Sequence, residues 1–270
     1  MTNKAYIFDF DDNIITMPST ISLQKEVSKN KYLIKHLSTK EYAEFNLEES
    51  DYELYPNSFS DFTNRLRFLN QLKESISNFK ETKCASYDDF KEAILSLSTI
   101  CIITARGHDR KTIKDWLMIL VDETFSDEDK EVLYENLEKD FTKDQITELE
   151  QNDRISSWEK EQLIKDLEEL SGRQLLNLYL KNQFVYAVNW EQRLEQFPRH
   201  KSKNTAQRKL VSLKDFLDNK NLDDIISIGF SDDDKKNINK ISDFLKKESS
   251  NYGIECMVYS TGNWEKKRIL

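Results

Sequence analysis

Lys4-Ala5-Tyr6-Ile7-Phe8-Asp9-Phe10-Asp11-Asp12-Asn13 drives an apolar run straight into three acids. The run, read as a strand over 5–10, has the length and the aromatic and β-branched content of a buried strand. A buried strand gains nothing from carboxylates at its tip, because taking them out of water is costly unless something pairs with them. A divalent cation at the carboxyl end of a parallel sheet resolves that cost, and open α/β folds place their ligands at that edge. The alternative is a solvated turn, and other parts of the chain have to decide between the two.

Four more segments read as strands: 99–104, 184–188, 225–230 and 255–259. Each is short and rich in Ile, Val, Phe, Tyr or Cys, and most are followed by helical patterns. Strand–helix alternation of this kind implies an α/β fold, a Rossmann-like parallel sheet flanked by helices. Two long stretches interrupt it. The first, 18–97, reads as mixed and mostly helical, with Ser38-Thr39-Lys40-Glu41 as a helix start and the residues before Pro56 as a short extended excursion. The second, 125–182, reads as strongly helical, with Thr142 and Ser156 at capping-box spacing. Leu163, Leu167, Leu170 and Leu175 recur there near helical spacing and read as core packing. Both stretches read as insertions (cap) over the sheet's carboxyl edge, in a core made of 1–17, 98–124 and 183–270. Gly107 and Gly229 fall at strand ends, which points to close backbone approach or unusual dihedrals.

Composition bounds the function. The chain has 270 residues and a formal net charge of -9, which argues against a strong non-specific hold on nucleic acid backbone. A basic patch at 201–209 is the local exception. Three cysteines, Cys84, Cys101 and Cys256, with no signal peptide, lead to the expectation of a reducing, cytoplasmic setting without disulfides. No run approaches the ~20 apolar residues of a membrane span. The three histidines are scattered, which disfavours a histidine-rich zinc site. Oligomeric state is not legible.

Polar groups of complementary type then fall on successive strand ends. Asp9, Asp11 and Asp12 follow the first, and Thr104 ends the second, ahead of Ala105-Arg106-Gly107. Lys201, Lys203 and Lys209 lie around the start of a helix that runs on through Leu213 and Phe216, and 225–230 runs into Asp232, Asp233 and Asp234. Three adjacent acids repel one another without a cation. This ordered set resembles the four motifs of the haloacid dehalogenase-like (HAD) superfamily, whose members are mostly magnesium-dependent phosphohydrolases. The resemblance covers the core and neither insertion.

The resemblance implies a Mg2+-dependent phosphatase that works through an aspartyl-phosphate on a small phosphorylated metabolite or nucleotide. Carried over position by position, Asp9 is the nucleophile, and Asp11 protonates the leaving oxygen and later activates water. An acid at that second position goes with phosphatases in the family, while dehalogenases lack it. The Asp9 carboxylate, the Asp11 main-chain carbonyl and Asp232, with Asp233 as ligand or support, would hold the metal. Thr104 and a lysine would bind the phosphoryl oxygens, Lys209 ahead of Lys203, with Lys201 also in range. Arg106 reaches the phosphate or substrate, or pairs with an acid of an insertion. Asp12 stands where the family often has Gly, Asn13 where Thr is usual, although Asn can still hydrogen-bond the turn, and Gly229-Phe230 where Gly-Asp is common, which slides the ligand toward Asp232 or Asp233. Two other readings stay open. One is a polynucleotide end-processing phosphatase guided by basic residues of 199–209 beside Trp190, against which the net acidity weighs. The other is a catalytically retired module whose helical insertions bind a protein partner. Tyr52, Tyr55, Phe59 and Trp116 read as insertion core or pocket lining.

Overall fold

A computed structural model describes residues 3–47, 49–196, 202–219, 224–262 and 265–270. β1 (Lys4–Phe8) is followed by β2 (Thr20–Ser28), β3 (Lys31–Ser38), α1 (Thr39–Glu44), β4 (Glu53–Leu54), α2 (Arg65–Ser77), α3 (Phe79–Thr82) and α4 (Tyr87–Leu95). β5 (Thr99–Thr104) and α5 (Arg110–Thr124) lead into α6 (Asp127–Asn136), α7 (Thr142–Gln151), α8 (Ser157–Glu168) and α9 (Gly172–Asn182). The chain closes with β6 (Phe184–Ala187), α10 (Glu191–Gln196), α11 (Thr205–Leu217), β7 (Ser227–Asp232), α12 (Lys235–Tyr252), β8 (Glu255–Ser260) and β9 (Lys267–Arg268).

The fold is α/β and Rossmann-like, with a six-stranded central sheet in the order β6-β5-β1-β7-β8-β9. All neighbours pair parallel except β9, which runs antiparallel to β8. From β1 the chain builds outward through β5 and β6 on one side, then returns to build β7 and β8 on the other. The reversal sits at β1, and a crevice opens at the carboxyl end of such a switch point. Ala5, Ile7, Cys101, Ile103, Ile228 and Phe230 pack on one face against Leu213 and Phe216 of α11 and Ile238 and Ile241 of α12. Phe8, Ile100 and Ile102 pack on the other face under Phe90 and Ile94 of α4 and Trp116, Leu117 and Leu120 of α5. Burial on both faces explains why these strands read as near-continuous apolar runs.

The first insertion differs from the expectation of a mostly helical segment. It contains α1 to α4, but it opens with an antiparallel sheet in the order β3-β2-β4. Ile21 and Leu23 on one face of β2 are buried with Leu37 and Phe62, while Ser22 and Gln24 on the other face bond His36 and Glu53 at the surface. Lys29 and Asn30 close the hairpin, Asn30 with a left-handed φ of 60°, a conformation that Asn tolerates, and the register shifts between Glu26 and Ser28 just before it.

The second insertion is helical, but it does not lie over the carboxyl edge. The Tyr179 hydroxyl donates to the Ser98 carbonyl at 2.6 Å and Asn136 donates to the Leu95 carbonyl at 2.9 Å. Gln183 accepts from the Ile100 N–H at 2.7 Å. All three anchors lie at the amino end of β5. Ser156 caps α8 with Glu159 as expected. Thr142 does not cap α7, because α6 continues into α7 through a π-helical turn, Leu137–Phe141, and the Thr142 hydroxyl donates back to the Leu137 carbonyl. In the leucine row, Leu167 and Leu175 are buried, whereas Leu163 is 42% exposed.

Candidate active site

The β1–β7 ladder continues one residue past β1, with the Asp9 N–H donating to the Ser231 carbonyl at 3.0 Å. Since Phe8 lies opposite both Ile102 and Ser231, register alone brings Asp9 and Asp232 out side by side, with Thr104 on the next strand. The turn beyond is held by Asn13, which is wholly buried. Its side-chain amide donates to the Asp9 carbonyl and the Ser231 hydroxyl, each at 3.0 Å, and accepts from Ser86 at 3.0 Å and Thr261 at 2.7 Å. Asp12 has a left-handed φ of 54°, a conformation that Gly, Asn and Asp tolerate best, and its carboxylate accepts from the Thr39 hydroxyl at the start of α1.

Asp9, Asp232 and Asp233 each place a carboxylate oxygen within 4.8 Å of the others. Lys209, in the second turn of α11, sits between two of them, its Nζ 2.7 Å from Asp9 and 2.8 Å from Asp232. It is only 1% exposed. Burial alone would lower its pKa, but Asp232 and Asp9 outweigh that and hold it well above the usual lysine value. Asp232 also accepts from the Asn237 amide at 3.0 and 3.1 Å and from the Asp234 N–H at 3.0 Å. Asp234 caps α12 by accepting from the Lys236 N–H, so its side chain serves the helix instead of the cluster. Asp233 is half-buried and its carboxylate accepts no hydrogen bond from any described residue. One ammonium therefore faces three carboxylates. Burial first, and then the neighbouring acids, push both Asp9 and Asp233 above the ordinary carboxylate range. Oxygen donors gathered this closely, one of them without a donor of its own, fit a hard divalent cation.

Thr104 is wholly buried, and its hydroxyl oxygen accepts from the Arg106 N–H at 3.2 Å. Arg106, read as a phosphate ligand or as the partner of an insertion acid, is instead forked onto Asp11. Its Nε lies 3.1 and 3.0 Å from the two Asp11 oxygens, and one Nη lies 2.5 Å from Oδ1. The remaining contacts go to the first insertion: the Ser19 hydroxyl at 2.8 Å and the Asp61 carbonyl at 3.0 Å. The guanidinium lies over the Phe68 ring at 4.1 Å and is 0% exposed. Planar, bidentate pairing of this kind is the geometry guanidinium makes best with a carboxylate.

Lys203 is half-buried and forms neither a hydrogen bond nor an ion pair with described residues. Lys201 lies outside the described residues, as do Arg199 and His200 of the basic patch. Gly107 shows the close approach its position implies: a Cβ there would stand 3.0 Å from Thr63 Cγ2 and 3.1 Å from the Asn189 carbonyl oxygen. Gly229 does not, since nothing lies within 4 Å of its missing Cβ. Trp116 is core, packed with Phe10 and His108; Tyr52 joins the cluster under the small sheet, and Tyr55 and Phe59 are exposed. Asn13 bonds the turn through the Asp9 carbonyl as its type allows, but sequence reasoning missed its reach to Ser231, Ser86 and Thr261, Asn237 as the Asp232 partner, and Asn189, which accepts from Arg208 at 2.6 Å and donates to the Ala105 carbonyl at 2.7 Å. Asn237 alone carried a signal, lying five residues after Asp232 in the first turn of α12.

No family model, no curated protein and no solved structure matches the chain. No helix among the described residues is long and apolar enough to cross a membrane.

Proposed function

We propose that the chain is a Mg2+-dependent phosphomonoester hydrolase acting on a small phosphorylated metabolite or nucleotide. One observation carries the reading: at the switch point of a parallel sheet, Asp9 shares a buried lysine with Asp232, Asp233 stands within reach of both, and a second carboxylate, Asp11, is fixed two residues along. The resemblance of the four ordered motifs to the HAD superfamily supports the same reading. Asp9, Asp232, Asp233 and the Asp11 carbonyl would hold Mg2+, which when bound supplies positive charge to offset the repulsion between carboxylate and phosphate.

The protein's own groups account for the steps. Asp11 first takes up a proton from solvent on Oδ2, the oxygen that among the described residues the Arg106 Nε alone holds; an Asp9 oxygen then attacks phosphorus, and the ester oxygen leaves with that proton. The Lys209 ammonium and the Thr104 hydroxyl face the phosphoryl oxygens as charge moves onto them. Asp11, now a base, takes a proton from water, whose oxygen attacks the phosphorus of the aspartyl-phosphate. Phosphate leaves, and the Asp9 carboxylate is restored. Arg106 is a positioning residue, holding Asp11 through the fork. Since Thr39, Ser19 and Asp61 all touch this constellation, the first insertion is the element that covers the site and selects the substrate.

Hydrolysis of p-nitrophenyl phosphate with Mg2+, abolished in Asp9→Asn, is the expected result. A wild-type protein inert toward a broad panel of phosphomonoesters, including a phosphorylated oligonucleotide, overturns the proposal.

A further inference from the structure

The second insertion lies at the opposite end of the sheet from Asp9, and nothing in the chemistry above uses it. Between α7, α8 and α9 it forms a cavity of about 350 Å³. Leu149, Leu163, Leu167 and Leu178 give it an apolar lining, and Glu148 and Asp166 stand among them. Single exposed leucines are ordinary on a protein surface. Here the 42% exposed Leu163 belongs to a concave leucine patch between helices, which is the shape that receives an amphipathic helix.

The charge around the patch narrows the occupant. Residues 125–182 hold sixteen acids and eight bases, so nearly all of the chain's formal charge of -9 resides there. Among the described residues neither rim carboxylate is paired with a cation: Glu148 accepts from the Gln145 amide at 3.2 Å, and Asp166 from the Gln162 amide at 2.7 Å. A second copy of the chain would bring the same negative face, and an anionic membrane surface would be repelled in the same way.

We infer that this groove docks a basic amphipathic helix of a partner protein, its apolar side chains entering the leucine lining and its lysines or arginines meeting Glu148 and Asp166. Complementary charge of this kind sets partner choice and speeds encounter, while the apolar anchors supply the affinity. The inference is independent of the phosphatase reading.

The test uses the full chain and a labelled helical peptide with leucines at i, i+3, i+4 and i+7 and lysines elsewhere, followed by fluorescence anisotropy. Saturable binding is expected, weakening as salt is raised, with amide shifts confined to α7, α8 and α9. Leu163→Glu, and separately the pair Glu148→Lys and Asp166→Lys, should each weaken binding about tenfold, the loss of one anchor or of its charge partners. Circular dichroism checks that each variant is folded, and Leu163→Ser serves if Leu163→Glu is not. Three outcomes overturn the inference. In the first, a peptide of the same composition with scattered leucines, or one with glutamates for lysines, binds as tightly. In the second, folded Leu163 variants keep full affinity. In the third, sedimentation shows a concentration-dependent dimer that Leu163→Glu abolishes, which makes a second copy the occupant.

Discussion

Arg106 has no contact with water, so its charge must be answered inside the protein, and Asp11 answers it. Removing one partner of a buried pair leaves the other uncompensated, so Arg106→Met should cost roughly 3–5 kcal/mol in denaturant unfolding, and Asp11→Asn in the same chain should return part of it. The kinetic consequence is more specific. If the fork aims Asp11 at the leaving oxygen, Arg106→Met should reduce kcat/KM for alkyl phosphates by ~10²-fold or more, the usual worth of a general acid. Aryl phosphates with good leaving groups should lose far less, and equal losses along a leaving-group series would show that Arg106 does not act through Asp11. His108 gives a second residue-level prediction. It is boxed by Phe68 and Trp116, and burial first and then Arg106 push its pKa from 6.5 down to about 4. The unfolded chain therefore takes up a proton between these values and the folded one does not, so the His108 contribution is intact above about 6.5 and is lost as pH falls toward 4. The raised carboxyls of Asp9 and Asp233 act with the opposite sign, so the comparison must be differential: His108→Phe should lose less stability than wild type between pH 7 and pH 5. At this scale the charged members of the site were legible, because an apolar run ending in acids has few structural explanations. The distant partners of Asn13 and Arg106's true partner were not, because Ser231, Ser86 and Thr261 on the one hand and Asp11 on the other are residues that only the fold brings near.

Helix α11 shows how an element sets a functional atom. Its first turn is fixed by Asn204, whose side chain accepts from the Gln207 N–H at 3.0 Å while Gln207 reaches back to the Asn204 N–H. Lys209 lies one turn further on, so the cap defines where its ammonium enters the cluster. Asn204→Ala should cost ~1 kcal/mol of stability and Asn204→Ser much less, with phosphatase activity following the same order. Elements were legible where burial was two-sided. The five parallel strands announced themselves as apolar runs, and 99–104 matches β5 at both ends. The hairpin of β2 and β3 did not, because only one face is buried and the intervening positions carry Ser, Gln, Lys and His. The π-helical turn was equally invisible, since Thr142-Lys143-Asp144-Gln145 satisfies the spacing of a helix start while the chain is already helical on both sides.

At the scale of the whole molecule, the parallel sheet and its strand segments could be read, but the order of the strands in the sheet and the disposition of the insertions could not, because sequence does not say which strands become neighbours or at which edge of a sheet a helical excursion will pack. The fold assigns the first insertion to the site and ties the second to the amino end of β5. It thereby leaves the site's surplus of negative charge as a property of the core itself, which makes that surplus a test of the whole reading. Asp233, half-buried and without a donor among the described residues, destabilises the metal-free protein once ionised, because its pKa is raised by burial and by Asp232 and Asp9. Lowering the pH relieves this repulsion by protonation; Mg2+ should relieve it without protonation, and only where the carboxylates are free of protons. Mg2+ at 100 times its Kd should thus add ~2.7 kcal/mol, a rise in Tm of roughly 5–10 °C, measured at pH 8 and shrinking at pH 5. Asp233→Asn should do two things at once: raise the metal-free Tm at pH 8 by removing a carboxyl whose pKa the fold pushes up to about 9 and which it can keep only by taking up a proton, and cancel most of the Mg2+ increment. A variant that lowers the metal-free Tm and keeps the increment would mean that Asp233 is neither strained nor a ligand, and the cation would have to be sought elsewhere.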